Sequence, residues 1–320
     1  MARLSDAADT DKGWGLKRLW PVWEQAKQEV QPLWTTLRPY LFVSPATLIF
    51  ILFFIYPILF LIYISFTSWN LISPEKEFVG VANYIELFRS ADFRQVMGNT
   101  VVYTVLTVSL SLVLALFLAL WLNRKGVLHG IIQGAIFSPY IISLVSVSLL
   151  WLWMMDPQFG LLNWVLSWFG FPPSPWLTDP NTAMYGLVLV SVWKVIGYNT
   201  LVFIAGLQSI PKEIYEAADL DGASFWQKLT RLTLPMLSPT LFFLLVINTI
   251  NSFQVFDIVQ IMTQGGPVNS TNMLVYFIYE NAFNFFKIGY ASAAGVILLF
   301  MIGLLTIFHF MFLAKRVHYQ

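Results

Sequence analysis

The sequence predicts an all-α integral membrane protein with six transmembrane helices and both termini in the cytoplasm. Three observations carry that reading. The 320 residues are 58% hydrophobic and 11% charged, where a soluble domain is nearer about 25% charged. A soluble fold of this length cannot hide so much apolar surface. Six apolar runs reach the roughly 20 residues that a helix needs to cross a bilayer, and the Lys and Arg residues of their short connections fall mostly on one side.

The runs are about Leu41 to Phe66, Gly98 to Leu122, Ile131 to Met155, Ala183 to Leu207, Leu237 to Met262 and Ala291 to Ala314. Arg3, Lys12, Lys17, Arg18, Lys27 and Arg38 precede the first. Arg124 and Lys125 join the second to the third, and Lys212, Lys228 and Arg231 the fourth to the fifth. Lys315 and Arg316 follow the last. On the opposite side, Lys76, Arg89 and Arg94 are outnumbered by Glu75, Glu77, Glu86 and Asp92. The next loop there has no Lys or Arg, and the last has only Lys287. Positive-inside asymmetry places both ends in the cytoplasm. Thirteen Trp and thirteen Tyr suit the aromatic belts of a multi-pass protein.

Residues 1–40 form a cytoplasmic or interfacial amino-terminal segment, and residues 41–320 the six-span domain. In that segment Leu19, Val22, Trp23, Ala26, Val30, Leu33, Trp34 and Leu37 recur at helical spacing. They predict an interfacial helix on the inner leaflet, started by Pro21 and bent at Pro32. The first forty residues hold no unbroken apolar run, so no cleavable signal is expected. In the second external loop, Leu161 to Phe169 predicts a short interfacial helix. Gly170, Pro172, Pro173 and Pro175 cut it too short for a seventh span.

Several chemistries are excluded. A net charge of +1 argues against a nucleic-acid partner, and the absence of cysteine removes disulfides and thiolate metal sites. There is no G-x-x-x-x-G-K-[ST] phosphate loop, and GGPVNST at Gly265 to Thr271 lacks a lysine. No nucleophile–base constellation appears, His129, His309 and His318 are scattered, and no cofactor is expected on this chain.

The charged segment EAADLDGASFWQKLTRLTLP, Glu216 to Pro235, interrupts this apolar sequence. Pro211 can open a helix as its first residue. Ile214, Ala217 and Ala218 then share one face, with Glu213, Glu216 and Asp219 on the polar side. Gly222 permits a left-handed turn. A second amphipathic helix follows, with Phe225, Leu229 and Leu232 on one face. Pro235 and Pro239 mark the next span. The two short helices should pack beneath the spans and present an acidic, small-residue knob to the cytoplasm. On spacing alone, an ordinary amphipathic loop hugging the membrane accounts for the segment equally well.

EAADLDGA, with Leu234 and Pro235 twelve residues beyond Gly222, resembles the cytoplasmic loop of binding-protein-dependent ABC importer permeases. That family's pattern is E-A-A, three residues, G, then about nine residues and I-x-L-P. Glu216, Ala217, Ala218, Gly222, Leu234 and Pro235 match it; Leu232 stands where Ile is usual. Asp221 and Ala223 complete the stretch. Phe78 to Phe88, PYIISLVSVSLLWLWMMDPQFGLLN, SVWKVIGYNTLVFIAGLQSIP and FDIVQIMTQGGPVNSTNMLVYFIYENAF are similar to the carbohydrate-uptake branch, which holds the maltose and glycerol-3-phosphate permeases. The carboxyl-terminal KRVHYQ is also like the glycerol-3-phosphate permease.

The resemblance implies that residues 209–236 form a coupling helix and its flanks, docked in a cleft of a separate ATPase, with Glu216 paired to a basic group there and Gly222 turning the chain. It implies an inner-membrane translocation subunit, not itself an enzyme. Its expected partners are a second homologous permease, two ATP-binding subunits, an external solute-binding protein and the lipid bilayer. The expected cargo is a sugar or sugar-like polyol. Glycerol-3-phosphate is the alternative, and a stand-alone secondary transporter the rival from another class. A phosphate would call for Lys or Arg in the path, where this chain offers only Lys194.

Polar residues inside spans are costly and mark function. Lys194, Tyr198 and Asn199 stand near the middle of the fourth run. Asn248, Asn251, Ser252 and Gln254 stand in the fifth, and Asp257 lies towards its outer end. Amides and hydroxyls suit sugar hydroxyls, so Lys194, Tyr198, Asn199, Asn248, Asn251, Gln254 and Asp257 are candidates for a solute path. Hydrogen bonding from helix to helix is the competing use of the same groups.

Overall fold

A computed structural model describes residues 33–124 and 126–313. The interfacial helix expected over residues 19–37 falls outside them except for its last few residues, as do Lys125, Lys315 and Arg316. The chain divides into two compact units, up to Leu59 and from Phe60.

In the first unit α1 (Leu33–Phe50) runs into a π-helical turn, Ile51–Ile55; α2 (Tyr56–Ser65) follows it in sequence and extends beyond Leu59. The apolar segment Leu37–Ser65 is 29 residues long, enough to cross a bilayer. The π turn ends two residues before Pro57, which has no N–H to donate and whose ring crowds the preceding turn. A second π turn, Leu229–Thr233, stands in the same relation to Pro235.

In the second unit a two-stranded antiparallel ladder, β1 (Thr67–Ser68) with β2 (Glu77–Phe78), pairs Thr67 with Phe78. Then come α3 (Ala82–Arg89) and the longest helix, α4 (Ala91–Leu122). Ser90 caps α4 by accepting the amide of Phe93. After α5 (Val127–Ile141) and α6 (Leu144–Met154), α7 (Leu161–Trp168) is the short helix predicted in the second external loop. The long helix α8 (Ala183–Gln208) leads to α9 (Lys212–Leu220). A helical run of α10 (Phe225–Lys228), the π turn and α11 (Leu234–Met236) follows. The chain goes on through α12 (Ser238–Phe253), α13 (Asp257–Met262), α14 (Leu274–Tyr279) and α15 (Ile288–Phe308).

Among the described residues four helices are long and apolar enough to span a membrane, or up to six if each of two bent pairs counts as one span. One bent pair is the predicted span Ile131 to Met155; the other, Phe225–Met236 with Ser238–Phe253, bends by 68° at the start of the predicted span Leu237 to Met262, which has a further break of its own. Both predicted spans are corrected. The run Ile131 to Met155 is broken at Ile142 and Ser143, where α5 and α6 meet at 100°. The run Leu237 to Met262 ends its first helix at Phe253 and restarts at Asp257. Hydropathy sums composition over a window and is blind to a break whose freed carbonyls are satisfied from elsewhere. The two broken spans pack on each other, α13 against α6. One apolar core joins Val147, Trp151 and Met155 to Ile258, Val259 and Met262.

The central contact is α4 with α8. Thr100, Thr104, Thr107, Ser111, Ala115 and Ala119 recur every three or four residues along α4, and all are buried. In lipid, helices gain little from the hydrophobic effect and associate by close packing, which small residues permit. α5 also packs against α8. Gly197 makes that approach possible, because any β-carbon there would collide with the Ile136 carbonyl.

Candidate functional site

Two regions gather the predicted residues. The first is the charged loop. Pro211 stands one position before α9 rather than as its first residue, with ψ 136°. Ile214 and Tyr215 are half-buried and Ala218 is buried, while Glu213, Glu216 and Ala217 are exposed and Leu220 is 90% exposed. The expected apolar face is corrected at one residue. Tyr215, adjoining Ile214 and Ala218 at 100° per residue, takes the inner position and turns Ala217 outward. Tyr215 Oη lies 3.1 Å from Thr233 Oγ1, joining α9 to the following helical run.

The turn between them is built from local chemistry. Gly222 has φ +69°, the left-handed region that favours glycine. Its amide donates to Asp219 O at 3.1 Å, and the Ala223 amide to Ala218 O at 2.9 Å. These are the two bonds of a Schellman cap. Ser224 then starts the next helix with a capping box. Gln227 Oε1 accepts the Ser224 amide at 2.7 Å, and Ser224 Oγ accepts the Gln227 amide at 3.4 Å. Lys228 pairs with Asp219 at 2.5 Å across the turn. The S-x-x-Q signature of that box, Ser224 to Gln227, is legible in the sequence and was missed. The aromatic pair Phe225 and Trp226, rings 5.5 Å apart, is exposed beside the acidic face. Leu234 and Pro235 are half-buried in the short helix α11.

The second region is an open cavity of about 200 Å³ lined by residues of α4, α6, α8, α12 and α13. Lys194, Asn248, Asn251, Gln254 and Asp257 all line it. Tyr198 and Asn199 do not: Tyr198 stacks on Tyr140 at 4.6 Å, and Asn199 is fully buried. Asn199 and Asn248 exchange amide hydrogen bonds between α8 and α12 at 3.3 and 3.0 Å. Asn251 and Gln254 are exposed, and neither side chain has a hydrogen-bond partner among the described residues. The break in the fifth run changes their setting. Asn248 and Asn251 lie in the last third of α12 rather than mid-helix, Gln254 caps its carboxyl end, and Asp257 opens α13. An acid in a first turn is favoured by the helix dipole.

Lys194 has a further task that its sequence position does not announce. Its ammonium donates to Ile142 O at 2.6 Å, Pro139 O at 3.2 Å and Tyr140 O at 3.3 Å. These are carbonyls that the end of α5 leaves without helical partners. A cation there also complements the negative end of the helix dipole.

Sequence reasoning missed other polar anchors. Tyr103 and Ser191 meet across α4 and α8 at 2.7 Å. Asn163 gathers the segment between α6 and α8, donating to Pro157 O and Ser174 O and accepting from the Ser174 amide and Trp176 Nε1. Asn99 on α4 holds the loop between α13 and α14 through Asn269 O at 2.7 Å and Asn272 O at 3.0 Å. No spacing marks these residues, since their partners lie in other segments. Among the described residues no group of three or more His, Cys, Asp or Glu is placed to hold a metal ion.

Residues 111–319 match the family described as the binding-protein-dependent transport system inner membrane component. The chain is similar to the sn-glycerol-3-phosphate transport system permease protein UgpA of Agrobacterium fabrum. The two are 37% identical over 284 residues, 88% of this chain and 97% of that one. It is 33% identical over 275 residues to the sulfoquinovosyl glycerol transport system permease protein SmoG of the same organism, covering 83% and 89%. Among solved structures, it matches a chain of a bacterial alginate ABC transporter in complex with alginate pentasaccharide-bound periplasmic protein. The TM-score is 0.75 at 26% identity, over 87% of this chain and 96% of that one.

Proposed function

The chain belongs to the binding-protein-dependent transport system inner membrane component family, and from that premise we propose that it forms one half of the translocation path of an ATP-driven sugar importer. It is an ABC transporter permease of the inner membrane. The cargo we assign is a sugar or sugar-like polyol, delivered by an external solute-binding protein. A second homologous permease supplies the other half of the path, and two ATP-binding subunits supply the energy. Both termini and the loop 209–236 face the cytoplasm.

The observation that carries this reading is the loop from α9 to α11. Two short helices joined by a Schellman cap and a capping box make a firm hairpin, and its outer surface carries Glu213, Glu216, Ala217 and Leu220. An exposed acidic face with a small residue and an apolar tip suits a partner with a basic cleft. In this role α9 is the coupling helix. Closure of the ATPase pair pushes it, and the push reaches α8 and α12, the helices that continue from either end of the loop. These helices border the polar cavity, and the solute passes there, between the two permeases. Asn251, Gln254 and Asp257 offer the hydrogen-bonding groups a polyhydroxylated solute needs.

Glycerol-3-phosphate is the second reading, favoured by the identity of 37% to a permease named for that cargo. Broken helices at membrane depth are also a feature of stand-alone secondary transporters, but family membership assigns this chain to the importers.

The test is co-purification of the permease with its ATPase subunits. Glu216→Lys is expected to insert normally and to lose those subunits. A Glu216→Lys complex that keeps its ATPases and transports at the full rate ends the docking role of this loop.

A further inference from the structure

The cavity that lines the proposed path contains one side chain of each sign, and the structure treats the two differently. Lys194 carries three N–H donors, and three carbonyls at the end of α5 occupy them. Those carbonyls belong to the negative end of a helix, so part of the ammonium charge is balanced where it stands. Asp257 has no hydrogen bond or ion pair among the described residues, although it lines the same cavity. The nearby phenol of Tyr103 is engaged with Ser191. What remains to meet a solute is a carboxylate, two primary amides on Asn251 and Gln254, the Ser252 hydroxyl and the Phe256 ring.

We propose that this chain's half of the path rejects anions and is fitted to an uncharged polyhydroxylated solute, because Lys194 is spent on the end of α5 while Asp257 faces the cavity without a partner. The inference rests on the path reading above and narrows it to one substrate class. A phosphate ester entering this cavity finds no free cationic donor among its lining residues and one opposing carboxylate. A neutral sugar or polyol finds a carboxylate that accepts from its hydroxyls and amides that both donate and accept. This departs from the cargoes in the names of the relatives, glycerol-3-phosphate, sulfoquinovosyl glycerol and alginate, all of them anionic.

The absence of native cysteine allows a direct measurement. Gln254→Cys places one thiol of this chain beside Asp257, in the assembled complex held in lipid nanodiscs with both faces open to reagent. Its rates with a trimethylammonium-ethyl and a sulfonato-ethyl methanethiosulfonate are compared, each relative to a small free thiol. The cationic reagent is expected to lead by about 10-fold, as a nearby carboxylate favours, and Asp257→Asn in the same chain is expected to erase that lead. Equal rates, a faster anionic reagent, or a lead that survives Asp257→Asn overturns the proposal. Should the Gln254→Cys complex fail to assemble, Asn251→Cys serves in its place. A thiol that reacts with neither reagent, while Asn269→Cys in the external loop does react, refutes the path reading itself, an outcome distinct from a wrong charge preference.

Discussion

Asn199 and Asn248, 49 residues apart in the chain and on different helices, hydrogen-bond each other in both directions, at 3.3 and 3.0 Å. Asn248 also donates to Leu244 O at 2.7 Å. Both side chains are buried, Asn199 completely. An amide at membrane depth needs a partner, and here each supplies the other.

The pair has a stability signature. Asn199→Leu alone leaves the Asn248 amide short of a partner and is expected to cost about 1–3 kcal/mol. The double change, Asn199→Leu with Asn248→Leu, is expected to cost less than the two single changes added together, since neither side then holds an orphan. Thermal unfolding of the purified complex measures both. Asn251→Leu with Gln254→Leu is expected to behave oppositely, lowering uptake while assembly and melting temperature stay unchanged. Normal uptake kinetics in that assembled double mutant remove these two residues from the path.

Lys194 holds the break between α5 and α6. Lys194→Met strips three carbonyls of their donor and is expected to destabilise the complex by about 1–3 kcal/mol. Lys194→Arg keeps a charge and several donors and is expected to retain most of the stability. The melting temperatures of the two variants give the comparison, and equal losses would mean that the carbonyl contacts are not what Lys194 provides.

Gly222 is required by its backbone and not by crowding. No atom lies within 4 Å of the position a β-carbon would take, yet φ is +69°. Gly222→Ala is therefore expected to cost about 1 kcal/mol through strain alone, and Gly222→Asn less, because Asn tolerates the left-handed region. The affinity of the permease for its ATPase subunits should follow the same order.

Cysteine accessibility tests the orientation. In intact cells an impermeant thiol reagent added outside is expected to modify Asn269→Cys and to spare Ser224→Cys, both positions being exposed on the chain. Modification of Ser224→Cys in sealed cells would reverse the assignment of the charged loop to the cytoplasm.

The charged loop was largely readable from sequence because its determinants are near neighbours. Gly222, Ser224 and the apolar spacing of Ile214 and Ala218 act over five residues or fewer, so a turn between two short helices was expected where one stands. The capping box at Ser224, the place of Pro211 one position before α9 and the outward position of Ala217 escaped, the last because Tyr215 competed for the inner face. The cavity was legible only as a set of costly polar residues. Which of them are engaged depends on partners that no spacing reveals.

By itself the sequence determined the membrane class, the apolar segments, the family and the construction of the loop. Each follows from composition or from signals a few residues long, which survive whatever the rest of the chain does. The tertiary structure alone decided that two of those segments are broken, that Lys194 serves carbonyls 52 to 55 residues away, and that Asn199 pairs with Asn248 while Asp257 stays open. The reason is that at membrane depth water is not there to satisfy a stray polar group. Each such group must find its partner across space, and only the packing of the helices says which ones have done so.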